Sequence, residues 1–137
     1  MTTFTQKQDY EAAASAVWDL IGDFYAVDRW MPGVAATVRD DGRRTRTVTL
    51  DDGATLVERL LEEGQRFHHY RFDDPGPVPV RDFKARITVV ETGPGRSAIE
   101  WTASFDPAPG VPEDAAQAAM SGFYQACLDR VFVLLGA

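Results

Sequence analysis

Toward its C-terminal end, between Pro112 and Leu135, the chain repeats apolar residues at helical spacing. At about 100° per residue, Ala116, Met120, Phe123, Cys127, Val131 and Leu134 fall on one stripe. Tyr124 and Leu128 lie on its shoulder, and Ser121, Gln125 and Asp129 lie opposite. This predicts one long helix with a face committed to the interior. Its ends are marked independently of the periodicity. Pro112 suits a first turn, Glu113 and Asp114 complement the positive end of the helix dipole, and Gly136 is a stop signal. The stripe mixes aromatic, thioether and thiol side chains with alanines, a composition that can fill a core or line a cavity.

From Val34 to Asp106 the helical period disappears, and short runs alternate with turn residues. The punctuation is Asp40-Asp41-Gly42, Asp51-Asp52-Gly53, Glu63-Gly64, the loop from Asp73 to Pro77, and Gly93-Pro94-Gly95. Asp-Gly pairs tolerate positive φ and favour hairpins. Six strands of an antiparallel meander are predicted, seven with a strand from Phe4 to Tyr10. In the last of them Ile99, Trp101, Ala103 and Phe105 share a face, as Phe83, Ala85, Ile87 and Val89 do in the strand before. Two short helices are expected ahead of the meander, Ala12 to Ile21 and Phe24 to about Met31, broken at Gly22, capped at Asp23 and closed by Pro32 and Gly33. A one-sided antiparallel sheet needs a cover, and the long helix is the only element large enough to supply it. The expected class is α+β.

Composition narrows the function classes. A chain of 137 residues is expected to form a single domain with a sizeable core. With 14 Lys plus Arg against 21 Asp plus Glu the formal charge is −7, which argues against nucleic acid and anionic membrane surfaces as partners. Cys127 is the only cysteine and cannot form an internal disulfide, and the opening residues lack the apolar segment of a signal peptide, so a cytoplasmic location is expected. No apolar run approaches the roughly 18 residues needed to span a bilayer. Lys84 alternates outward, adjacent His68 and His69 point to opposite faces, and neither a Walker lysine nor a Gly-x-Ser-x-Gly elbow occurs. No metal or cofactor is implied.

Strand parity places the candidate chemistry. If Leu56 and Leu60 face inward, Glu58 between them does too, and Arg46 joins Val48 and Leu50 on the inner face of the neighbouring strand. This pair is either a structural ion pair or a catalytic one. In the second reading Glu58 is the general acid or base and Arg46 binds a carbonyl or enolate oxygen. His68, Tyr70 and Phe72 share one side of the next strand, where His68 and Tyr70 could relay protons. Asp23 needs no role beyond a helix cap. Trp30, Phe83, Trp101, Phe105, Met120, Phe123 and Tyr124, with Cys127 on the same helical stripe, are the expected wall for a planar polycyclic or aromatic ligand. The loop from Asp73 to Pro79 is the expected mouth.

One ordered pattern runs through nearly the whole chain. It comprises Val17-Trp18, Gly22-Asp23-Phe24, Arg29-Trp30-Met31-Pro32-Gly33, Arg46, Asp52-Gly53, Glu58-Arg59-Leu60, Tyr70, Pro79-Val80, Asp82-Phe83, Trp101 and Phe105. On these residues the chain resembles the polyketide cyclase/dehydrase-like branch of the START and pollen-allergen (SRPBCC) superfamily. The resemblance implies a helix-grip fold: a curved, roughly seven-stranded antiparallel sheet around a long C-terminal helix, two short helices at one end, and an apolar cavity between sheet and helix. It implies either a cofactor-free cyclase or dehydratase for a hydrophobic or aromatic carbonyl compound, or a noncatalytic carrier of such molecules. A dimeric regulatory protein with a vestigial pocket is a third reading, and a homodimer is compatible with any of them. Polar groups converging in the cavity would favour an enzyme, and an all-apolar wall a carrier.

Overall fold

A computed structural model describes residues 1–136. The chain runs β1 (Thr2–Tyr10), α1 (Ala14–Ile21), a 3-10 turn (Val27–Arg29), β2 (Val34–Asp40), β3 (Thr45–Leu50), β4 (Thr55–Gly64), β5 (Phe67–Asp74), β6 (Val80–Gly93), β7 (Arg96–Pro107) and α2 (Glu113–Leu135). The strands form one seven-stranded sheet in the order β1-β7-β6-β5-β4-β3-β2. All neighbours are antiparallel. The meander therefore runs outward from β7 to β2, while β1 returns to the far edge of β7, pairing from Thr2 with Phe105 to Tyr10 with Ser97. Register shifts in the β4–β5 and β6–β7 ladders mark bulges, which increase strand twist and help the sheet curve.

The alternation expected in β6 and β7 is present: Phe83, Ala85, Ile87, Val89, Ile99, Trp101, Ala103 and Phe105 are all buried. Each large apolar side chain withdrawn this way contributes roughly 1.5–3 kcal/mol. Across this face lies α2, tied to β1 by Tyr10 Oη donating to the Leu128 carbonyl at 2.8 Å and by Gln6 Nε2 donating to Gln125 Oε1 at 2.6 Å. Gly136, at φ 70°, ends the helix in the left-handed conformation, its N–H donating to the Phe132 carbonyl at 2.9 Å. This is a helix-grip architecture.

Three expectations need correction. The second short helix is only the 3-10 turn at Val27–Arg29, in a run of tight turns where the Tyr25 N–H donates to Asp23 Oδ1 at 2.9 Å. Phe24, Val27 and Trp30 are all buried, and their spacing of three suits the 3-10 repeat; so short a segment also falls below the length at which an isolated helix nucleates well. The first helix starts at Ala14, two residues later than expected, because the Ala12 carbonyl is held by the buried Ser97 hydroxyl at 2.7 Å. In α2 the buried stripe is Ala116, Met120, Tyr124, Cys127, Leu128 and Val131, while Phe123 and Leu134 remain 38% and 39% exposed. Apolar residues surround the C-terminal half of this helix, so periodicity located the stripe only to within one side-chain position.

Candidate active site

Between the concave face of the sheet and α2 lies a cavity of about 210 Å³. Strands β3 to β7 supply Val48, Leu50, Leu56, Glu58, Tyr70, Phe72, Phe83 and Trp101, and α2 supplies Ala119, Met120, Phe123 and Tyr124. Pro77, Val78 and Pro79 of the β5–β6 loop complete one side, with Met31 and Val34 opposite. An apolar hollow of roughly 150 Å³ accommodates benzene. Of the polycyclic or aromatic ligands expected from its aromatic wall, this cavity has room for a compound of one or two rings. A wider depression of about 880 Å³, rimmed by Arg71, Arg81, Lys84 and Arg86, lies on the convex side of the sheet and is open to solvent.

Adjacent positions of β3 and β4 bring Arg46 and Glu58 together. They are 3% and 5% exposed, and Arg46 Nε donates to Glu58 Oε1 at 3.0 Å. Arg46 is committed elsewhere as well. Its Nη1 donates to the Phe24 carbonyl at 2.8 Å, and its guanidinium carbon lies 3.9 Å from the centre of the Phe24 ring. Glu58 consequently lines the cavity, whereas Arg46 sits behind it. Among the described residues no hydrogen bond reaches Glu58 Oε2.

Next to Glu58 stand two phenols. Trp101 Nε1 donates to Tyr70 Oη at 3.0 Å, and the Trp101 indole stacks on the Tyr124 ring at 3.7 Å with an interplanar angle of 6°. Burial, reinforced by the Glu58 charge, pushes the Tyr70 phenol well above its ordinary pKa. Burial and then the neighbouring Tyr70 do the same to Tyr124. Both are proton donors at neutral pH.

The family model described as polyketide cyclase / dehydrase and lipid transport matches residues 1–132. The chain belongs to this family. Protein XoxI from Bacillus cereus is similar in structure, with TM-score 0.89 and 28% identity over 96% of this chain and 93% of that one. A START superfamily protein from Mycobacterium smegmatis has TM-score 0.73 and 16% identity, covering 96% and 98%. The Zhui aromatase/cyclase from Streptomyces sp. R1128 has TM-score 0.66 and 16% identity, covering 96% and 87%. At that identity the last two show the fold alone. No functionally curated protein matches the chain.

In this cyclase/dehydrase family member four candidate residues, His68, Trp30, Phe105 and Cys127, lie around the cavity without entering it. His68 is buried beside Trp18 and Phe24, at ring distances of 4.9 and 5.6 Å, and is not part of the cavity wall. Burial, with the nearby Arg46 charge, lowers its pKa to about 4. Among the described residues its Nε2 has no hydrogen-bond partner, the Glu63 carboxylate being 3.8 Å away. Trp30, Phe105 and Cys127, expected in the wall, instead back it: Trp30 packs on Trp101 at 5.8 Å and Phe105 on Phe4 at 6.2 Å. The fully buried Cys127 thiol is pushed well above its ordinary pKa by desolvation. Phe83, Trp101, Met120, Phe123 and Tyr124 do line the hollow. Missing from the expected wall were Met31, Val34, Val48, Leu50, Leu56, Phe72 and Ala119. For Val48, Leu50, Leu56 and Phe72 the signal was the same strand parity that turned Arg46, Glu58 and Tyr70 inward. Among the described residues no helix is long and apolar enough to cross a membrane.

Proposed function

We propose that this chain is a small cofactor-free enzyme of cyclase or dehydratase type, acting on a compact hydrophobic or aromatic carbonyl compound in the gripped cavity. The observation that carries this reading is the isolation of Glu58. Among the described residues it is the one charged group on the wall of a largely apolar hollow, with one oxygen tethered to Arg46 and the other meeting no donor. A carboxylate in that position can take a proton from the carbon next to the ligand carbonyl, placing the electron pair on the carbonyl oxygen. The enolate then re-forms its carbonyl and expels a β-hydroxyl, which leaves as water with the proton returned by Glu58. In this scheme Arg46 is a positioning residue that orients the carboxylate from behind. His68, neutral and outside the wall, takes no part.

The test is Glu58→Gln assayed on single-ring β-hydroxy ketones, with dehydration followed by the ultraviolet absorbance of the conjugated product. Turnover should fall by about a hundredfold or more while binding persists. Full turnover in a folded Glu58→Gln protein would reject the mechanism. A second reading, a noncatalytic carrier, is favoured by the Arg46–Glu58 ion pair, in which each charge already faces its counter-charge. It predicts that a bound ketone is recovered unchanged by mass spectrometry after long incubation with the wild-type protein.

A further inference from the structure

Trp101, Tyr70 and Tyr124 bring three hydrogen-bond donors together, and among the described residues only that of Trp101 meets a protein acceptor. An indole N–H can only donate, and that of Trp101 is directed at Tyr70 Oη at 3.0 Å. Each phenol adds one proton of its own. If one phenol donates to the other, the second O–H can turn only to the free Glu58 Oε2 or to the cavity. Glu58 Oε1 accepts from Arg46 and its Oε2 meets neither phenol, and among the described residues no partner meets Tyr124 Oη. Both rings are almost wholly buried and both line the cavity. A buried hydroxyl without an acceptor is costly, and the Tyr124 side chain borders the open space of the hollow.

We propose that the cavity is built for a compact, uncharged ring compound bearing a carbonyl-type oxygen, and that the Tyr124 hydroxyl is the donor meeting that oxygen. This rests on reading the hollow as a ligand site and adds the polarity its ligand must have. An anionic acceptor would share the space with Glu58, so like-charge repulsion disfavours carboxylates and selects a neutral oxygen. Tyr70, aligned by Trp101, stands beside Tyr124 as a second donor. The carbonyl is thereby polarised where negative charge would develop on enolisation.

The experiment compares acetophenone with α-methylstyrene, which replaces the carbonyl oxygen by a methylene of similar shape. Binding of each to the wild-type protein and to Tyr124→Phe is measured by calorimetric titration. Tyr124→Phe should weaken acetophenone binding roughly three- to tenfold and leave α-methylstyrene unchanged or tighter. Equal effects on the two ligands would overturn the proposed donor while leaving the cavity as a binding site. Failure of the wild-type protein to bind either would overturn both readings. A separate readout needs no ligand. Tyr124→Phe should melt no lower than the wild type, since no protein hydrogen bond is lost, whereas Tyr70→Phe should melt lower because Trp101 loses its acceptor. A marked fall for Tyr124→Phe would mean that its hydroxyl is already satisfied within the protein and would overturn the inference.

Discussion

Arg46 and Glu58 hold each other in place, and their energetics are asymmetric. Replacing only the arginine, as in Arg46→Met, leaves a carboxylate buried without its counter-ion and should destabilise the protein by roughly 3–5 kcal/mol in urea denaturation. The double replacement Arg46→Met with Glu58→Leu should recover most of that loss. His68 gives a prediction of opposite character. Its pKa is lowered from 6.5 to about 4 in the folded chain, so between those values the unfolded chain binds more protons and stability falls as the pH drops. His68→Phe should remove a share of this acid sensitivity on the order of 2–3 kcal/mol, read as the difference between the two proteins' unfolding free energies at pH 7 and pH 4. Strand parity in the sequence was enough to turn Arg46, Glu58, His68 and Tyr70 to one face. It could not give depth. Whether an inward side chain reaches the hollow or stops behind a neighbour depends on contacts such as Arg46 with the Phe24 carbonyl, made between residues far apart in the chain.

Among the elements, strands were more legible than helices. Each strand carries its own period of two and its own turn signal, so the sheet can be read locally from Asp-Gly pairs and from the alternation in β6 and β7. The segment from Phe24 to Met31 has apolar residues at a spacing compatible with either a helix or tighter turns, and packing against Trp101, Tyr70 and His68 decided between them. The rotation of α2 was likewise settled by its partners, since Tyr124 stacks on Trp101 and Leu128 receives the Tyr10 hydroxyl bond. The β5–β6 loop depends on one glycine. Gly76 has φ 56°, and a Cβ built on it would lie 2.2 Å from the Thr55 carbonyl oxygen. Gly76→Ala should therefore cost at least about 1 kcal/mol in stability and displace Pro77 to Pro79 from the cavity wall. Calorimetric titration with acetophenone should show weaker binding.

For the molecule as a whole, the sheet and helix enclose their hollow only when both edges of the meander are in place, because β1 anchors α2 while β3 and β4 supply the far wall. A ligand held between them binds the folded chain alone, so saturation should raise the melting temperature. At one hundred times the dissociation constant the stabilisation is about 2.7 kcal/mol. Val48→Phe, which fills the hollow from β3, should abolish this ligand-dependent rise while leaving the fold's circular dichroism intact. The lone sulfhydryl at position 127 has a consequence of a different kind. Sealed on the inner side of the covering helix and held in its unreactive protonated form, it can meet an aqueous alkylating reagent only after that helix lifts away from the sheet. Its labelling rate is thus an intrinsic clock for the opening of the grip, and a guest that bridges the two halves should slow the clock.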